Sequence, residues 1–182
     1  EDFTQWTARQ IPRSAGLELM FPETTLMDQG DQLVAMVRTN TTTTAPVAIS
    51  RDHGHSWTAL GPSNFPIDNS KTFCGRLSTG QHFYISNSRE EGRGLLTIAV
   101  TRPGEKTFRT IWKLRHQHYP VRRLFPGWTD GINGSLDMVG STTEWSYPAA
   151  IEHDGKLYIS YTQGKEDCVL SIIPIDVLAV EE

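Results

Sequence analysis

The sequence lacks the features that define several common classes of protein. It contains no run of 18 or more apolar residues, so its pattern predicts no membrane-spanning helix. It has 17 basic and 21 acidic residues, and this slightly negative balance gives no support for nucleic-acid binding. It also lacks any strong helical periodicity, whereas short apolar runs separated by glycine turns are frequent. With 37% hydrophobic residues the chain can form a globular core, and the pattern predicts an all-β protein.

Cysteine is scarce, and no cofactor motif is present. Cys74 and Cys168 both lie in apolar runs, which predicts buried thiols on strands, with a disulfide between them as the alternative. The pair His116 and His118 is weak as a metal site, because no cysteine lies near it and the next carboxylate is Asp130. We therefore expect neither a metal nor an organic cofactor.

The most specific local motif is Ser50-x-Asp52-x-Gly54-x-x-Trp57, directly after an apolar run. Asp52 can bind backbone amides within its own turn, and Gly54 can adopt the positive φ that a tight hairpin needs. Trp57 is large enough to pack across the hairpin. The motif resembles the Asp box of sialidase-like proteins, a structural element on the outer turns of β-propeller blades. The resemblance implies a fold but no activity.

Two landmarks recur along the chain at similar spacing. The distance of 51 residues from Trp6 to Trp57 is repeated from Trp57 to Phe108. Glycine turns between apolar strands occur at Gly30 and Gly80, 50 residues apart. A repeat of about 50 residues with several short strands per unit is typical of a propeller.

A third glycine turn, at Gly155, lies 75 residues after Gly80, which indicates an insert within residues 114–140. The insert carries a basic cluster and Trp128, for which we weigh a solvated loop against a rim loop that contacts an anionic glycan. At the end of the chain, the run from Ile172 to Leu178 predicts a final edge strand broken by Pro174.

The sequence therefore predicts a β-propeller of four-stranded blades. Residues 1–182 account for about three and a half blades, too few to close a ring that needs typically 4–8. We expect one partial domain, the C-terminal half of a propeller of about six blades. Missing N-terminal blades, or a partner chain, would close it.

Site residues follow from a closer resemblance to exo-α-sialidases, which extends over essentially the whole chain. In that family a glutamate near the start of an inner strand is followed by an arginine at the end of the next strand. A second arginine precedes an apolar strand, and a tyrosine opens the last blade. Glu23, Arg38, Arg93 and Tyr147 match these places in order, and Asn87 is a further candidate for a hydrogen bond to substrate.

The resemblance implies a retaining exo-glycosidase that removes a terminal sialic acid or a related acidic sugar. Arg38 and Arg93 would bind the sugar carboxylate, which the planar guanidinium matches bidentately. Tyr147 would be the nucleophile, since a carboxylate would be repelled by the substrate, and Glu23 would be its base. A third arginine and an aspartate acid/base would come from blades outside this chain, so these residues alone would be inactive. The resemblance favours a secreted or periplasmic location.

The sequence is also compatible with other functions and with other roles for the candidate residues. A non-catalytic glycan-binding propeller, another glycosidase or a polysaccharide lyase would suit the same blade plan. Glu23 could be a surface residue, and Arg38 could pair on the surface with Asp28 or Asp31. Arg93 could belong to a solvated loop, and Tyr147 could be a core aromatic residue.

Overall fold

The computed structural model describes residues 6–68, 70–88, 92–116, 122–126, 137–141, 144–164 and 166–181. Its regular structure consists of β-strands and one short 3-10 helix near the C-terminus. The strands are β1 (Glu23–Asp28), β2 (Leu33–Arg38), β3 (Val47–Ser50), β4 (Phe73–Arg76), β5 (His82–Ser88), β6 (Gly92–Thr101), β7 (Phe108–His116), β8 (Arg122–Pro126), β9 (Asp137–Ser141), β10 (Trp145–His153), β11 (Lys156–Gln163) and β12 (Asp167–Pro174). The all-β prediction is confirmed. No helix among the described residues has the length and apolar character needed to cross a membrane.

The strands form three antiparallel sheets and one separate hairpin. The sheets have the orders β1-β2-β3, β4-β5-β6-β7 and β10-β11-β12, and β8 pairs with β9. Among the described residues, only the middle sheet has the four strands that we expect for a blade. The β8–β9 hairpin falls largely within the predicted insert, 114–140, while His118 and Trp128 of that insert lie outside the described residues.

The first strands of the three sheets, β1, β4 and β10, lie side by side. The carbonyl of Asp28, at the end of β1, lies 2.9 Å from Nε2 of His82, which follows the end of β4. Glu152, near the end of β10, accepts hydrogen bonds from the backbone and hydroxyl of Ser78, also just past the end of β4. The three strands therefore run in the same direction. We call the end at which they begin the opening end.

Three groups of buried side chains form the core. One fills the space between the middle and last sheets, and another lies between the first and middle sheets. The third covers the outer face of the first sheet with Leu60, Trp57 and nearby loop residues. Because the middle sheet is covered on both faces, β5 is a continuous run of buried residues rather than an alternating one.

The Asp-box hairpin has the predicted form. Asp52 accepts hydrogen bonds from the hydroxyl and backbone N–H of Ser56, at 2.5 and 2.8 Å, and from the hydroxyl of Ser50 at 2.8 Å. Gly54 has a φ of 87°, and the indole nitrogen of Trp57 donates to its carbonyl at 3.1 Å. These hydrogen bonds to the carboxylate hold the pKa of Asp52 well below its usual range.

Two predictions for the C-terminal region need correction. Pro174 does not interrupt a strand running to Leu178, because β12 ends at Pro174 and residues Ile175–Leu178 form a 3-10 helix. Both cysteines are free, so no disulfide links them. Cys74 is buried on β4 as predicted, but Cys168 is exposed on β12, which lies at the edge of its sheet.

Candidate functional site

The topology brings all five predicted site residues to the opening end. Glu23 begins β1 and pairs with Arg38, the last residue of β2. Asn87 and Arg93 lie at the connection between β5 and β6, beyond the beginning of β4. Tyr147 is the third residue of β10. Within each sheet these positions follow from antiparallel pairing, and the common direction of β1, β4 and β10 places them at the same end.

The first group of contacts surrounds Arg38. Its Nη1 atom donates to Oε2 of Glu23 at 2.9 Å. Its guanidinium also lies over the ring of Phe21, 5.5 Å from the ring centroid. Arg38 is 6% exposed, so the alternative of a surface pair with Asp28 or Asp31 is wrong; Asp31 binds Lys106 instead. A buried arginine needs such a carboxylate, because an uncompensated charge away from water is costly.

The second group surrounds Arg93 and consists of residues at the beginning of β10. The Nη1 atom of Arg93 lies 3.6 Å from Oε1 of Glu144 and 3.5 Å from the hydroxyl of Ser146. Its guanidinium lies 5.5 Å from the ring centroid of Tyr147. Arg93 is therefore held between the middle and last sheets and is not part of a solvated loop. The positive charge of Arg93 therefore lies over the ring of Tyr147, as in a cation–π contact.

The backbone of Tyr147 has an unusual conformation. Its φ is 58°, in the left-handed region that bulky side chains rarely adopt. The pairing of β10 with β11 is also irregular between Ser146 and Ala149, as in a β-bulge, which redirects side chains locally. Tyr147 is 40% exposed, so it is not a core aromatic residue. Strained residues of this kind are concentrated at functional sites.

Asn87 makes contacts that position other residues. Its side chain is 1% exposed, and Nδ2 donates to the backbone carbonyls of Trp145 at 2.8 Å and Leu95 at 3.2 Å. The carbonyl oxygen of the amide is buried and accepts no hydrogen bond from the described residues. Asn87 thus links the middle sheet to the segment that carries Tyr147.

The structure does not bring Glu23 and Tyr147 into contact. Among the described residues, Glu23 makes its hydrogen bond to Arg38 and none to the tyrosine. Sequence reasoning missed Phe21, Glu144 and Ser146. No specific signal for Phe21 is present in the sequence, because the aromatic–proline step that it shares with Tyr147 also occurs at Phe65, Tyr119 and Phe125.

Two other potential nucleophiles near the first strands are unreactive. Burial raises the pKa of the Cys74 thiol to about 11, against an opposing hydrogen bond from Thr25. Burial also raises the pKa of Tyr84 far above its usual value. In the part of the chain that the structure describes, no three His, Cys, Asp or Glu side chains are grouped so that they could hold a metal ion.

These features define a propeller-like all-β protein in which two arginine–aromatic pairs, Arg38 with Phe21 and Arg93 with Tyr147, lie at the opening end. A third pair, Arg115 with Tyr161, connects β7 to β11. The sequence matches the BNR repeat-like domain family over residues 2–159. The chain therefore belongs to that family. No curated protein sequence matches the chain.

A solved structure has a similar fold. A protein of unknown function from Dyadobacter fermentans DSM 18053 is 19% identical, with a TM-score of 0.58. The match covers 90% of this chain and 40% of that protein, so the chain spans less than half the length of this relative. Two structures of an exo-beta-1,3-galactanase from Phanerochaete chrysosporium are 11% identical and cover 84% of this chain and 46% of that enzyme. Their TM-scores of 0.34 and 0.35 are too low to support an argument about fold or function.

Proposed function

We propose that the chain is the C-terminal half of a propeller exo-glycosidase that removes a terminal sialic acid or related acidic sugar with retention of configuration. The observation that carries this proposal is the pairing of Arg93 with the exposed, strained Tyr147. An arginine can bind a sugar carboxylate, and a tyrosine at that place can attack the adjacent anomeric carbon without charge repulsion. The resemblance of Glu23, Arg38, Arg93 and Tyr147 to sialidase positions supports the same assignment.

In the proposed reaction, the phenol oxygen of Tyr147 forms a bond to the anomeric carbon as the bond to the leaving oxygen breaks. The leaving oxygen takes a proton from an acid supplied by blades outside this chain. Water then attacks the anomeric carbon of the glycosyl–tyrosine and gives a proton to the conjugate base of that acid, while the tyrosine oxygen leaves the carbon and takes its proton back from Glu23. Arg93 lies over the ring and favours the negative charge that the phenol oxygen carries during attack.

Glu23 is the proposed base, and it can accept a proton from Tyr147 only when its ion pair with Arg38 is broken. A neutral phenol is a weak nucleophile and must lose its proton to a neighbouring group. The Oε2 atom of Glu23 lies 2.9 Å from Nη1 of Arg38. We propose that the sugar carboxylate takes the place of Glu23 on Arg38. This exchange frees the Glu23 carboxylate to accept the proton of Tyr147, so that activation depends on the correct substrate.

The remaining parts of the site would come from additional blades. The last sheet has an outer face with exposed Ile151, Leu170 and Ile172, which share one side because Ile151 and Ile172 both pair with Tyr158. Exposed apolar faces of this kind are usually covered by a neighbour. We propose that N-terminal blades, or a partner chain, cover this face and supply a third arginine and an aspartate acid.

A second candidate is a glycan-binding propeller without turnover. The observation that favours it is again the pair of Glu23 with Arg38, without a hydrogen bond from Glu23 to Tyr147. If the pair persists when a glycan binds, the phenol has no base. The protein would then bind an acidic sugar and leave it intact.

The test uses the complete protein that contains this segment and an aryl sialoside that releases a coloured phenol. We expect release by the wild type and by the control Tyr161→Phe, at a buried tyrosine, and none by Tyr147→Phe. Binding of sialyl-lactose without release would favour the second candidate. An unsaturated product that absorbs in the ultraviolet would show a lyase. A wild-type protein that neither releases the phenol nor binds sialyl-lactose would contradict both candidates.

A further inference from the structure

We propose that Phe21 forms a second sugar-binding position at the opening end, which contacts the pyranose ring next to the one that is cleaved. This inference rests on the proposed function. It is carried by a structural duplication: the pair of Phe21 with Arg38 repeats the construction of the pair of Tyr147 with Arg93.

The two pairs agree in three independent respects. Phe21 has a φ of 54° and Tyr147 a φ of 58°, both in the left-handed region. Each aromatic residue precedes a proline, Pro22 or Pro148. In each pair the guanidinium carbon lies 5.5 Å from the ring centroid. The same local structure therefore occurs at the openings of the first and last sheets.

Burial does not account for the placement of Phe21. The residue is 52% exposed, although a phenylalanine gains stability mainly by leaving water. Its left-handed backbone is unfavourable for a side chain of this size. The preceding residue is fixed, since the backbone N–H of Met20 donates to the hydroxyl of Thr39 at 3.2 Å. The segment thus holds an aromatic ring in an exposed and strained position beside Arg38.

The chemistry of the pair suits a sugar ring that is bound and not attacked. A phenyl ring offers an apolar face to the C–H side of a pyranose. Arg38 lies over one face of the Phe21 ring, so the sugar would pack on the other face while Arg38 binds the carboxylate of the terminal sugar beside it. Phenylalanine has no nucleophilic atom, unlike Tyr147 at the equivalent place. Because both pairs lie at the opening end, we assign Phe21 to the sugar that follows the terminal one, so that its contribution would appear with a longer glycan and not with a single sugar.

The experiment measures binding by the complete protein carrying Tyr147→Phe, so that no substrate is consumed. Sialyl-lactose and methyl α-sialoside are titrated in turn by calorimetry. Adding Phe21→Leu, which keeps an apolar side chain, is expected to weaken sialyl-lactose about tenfold and to leave the methyl sialoside unchanged. Phe21→Trp is expected to retain the affinity for sialyl-lactose. Trp112→Leu, on the distant strand β7 and also exposed, serves as the matched control.

Equal affinities for sialyl-lactose with and without Phe21→Leu would overturn the inference and leave the proposed function intact. An equal loss for both ligands, in a variant with an unchanged melting temperature, would also overturn it, because Phe21 would then act through Arg38. Failure of the Tyr147→Phe protein itself to bind either ligand would contradict the proposed function as well.

Discussion

The side-chain amide of Asn87 on β5 donates a 2.8 Å hydrogen bond to the backbone carbonyl of Trp145 at the beginning of β10. This bond crosses from the middle sheet to the last sheet. Trp145 precedes Ser146 and Tyr147, whose contacts with Arg93 form one of the two arginine–aromatic pairs. The relationship shows how the fold fixes the segment that carries the proposed nucleophile.

Replacement of Asn87 by alanine is expected to destabilise the protein and disturb this segment. The substitution leaves the buried carbonyls of Trp145 and Leu95 without their side-chain donor, and an unsatisfied buried acceptor costs about 1–3 kcal/mol. Denaturant unfolding of Asn87→Ala and of the exposed control Asn64→Ala measures the effect. A loss of stability no larger than that of the control would contradict the bridging role.

Gly75 on β4 is expected to tolerate no side chain. A Cβ atom at this position would lie 2.7 Å from Cζ of Phe83, which is itself buried. Overpacking of this kind costs about 1–3 kcal/mol. At Gly61, by contrast, a Cβ atom would meet nothing within 4 Å. Thermal unfolding should therefore show a clear loss for Gly75→Ala and little change for Gly61→Ala; similar melting temperatures for both would contradict the packing described for β4.

The Asp-box hairpin should make stability dependent on acid. The pKa of Asp52 is lowered in the folded protein by hydrogen bonds from the Ser56 side chain, the Ser56 backbone and Ser50, in that order. A carboxyl whose pKa is lowered by folding contributes stability above its unfolded pKa, about 3.9, and loses that contribution as pH falls below it. Asp52→Asn should melt a few degrees below wild type between pH 5.5 and 8.

Below about pH 4 the two melting temperatures should converge. A difference between wild type and Asp52→Asn that stays constant down to pH 2.5 would show that the carboxylate is not the source of the effect.

The two cysteines should differ sharply in reactivity. Burial raises the pKa of Cys74 to about 11, so its thiol is protonated and inaccessible at neutral pH, whereas Cys168 is exposed on β12. Labelling of the native protein with a thiol reagent should modify Cys168 alone, and denaturation should expose Cys74 to the reagent. Peptide mass spectrometry distinguishes the sites. Prompt labelling of Cys74 in the native protein would contradict its burial.

Features set by local chemistry could be predicted from the sequence. The hairpin at Ser50 to Trp57 follows from side chains that bond their own turn. The glycine turns at Gly30, Gly80 and Gly155 follow from the need for a positive φ, which all three have. The pair of Glu23 with Arg38 was not predicted, although antiparallel neighbours 15 residues apart can meet when a short turn joins their strands.

Features set by long-range packing could not be predicted in this way. The contact of Arg93 with Glu144 depends on how two sheets meet, and no local spacing encodes it. The left-handed backbone of Tyr147 arises at a bulge in β10, and no local pattern in the sequence predicts that bulge. Cys168 lies among apolar residues but on an edge strand, so its exposure depends on which face of the sheet is covered.

The central claim is that the arginines at the opening end recognise the carboxylate of a terminal acidic sugar. The most direct measurement compares binding of methyl α-sialoside and of its carboxylate methyl ester to the complete Tyr147→Phe protein by calorimetry. Esterification removes the negative charge and the bidentate contact, so we expect affinity to fall at least tenfold, and Arg93→Gln should reduce the difference between the two ligands. Equal affinity for the acid and the ester would contradict the account.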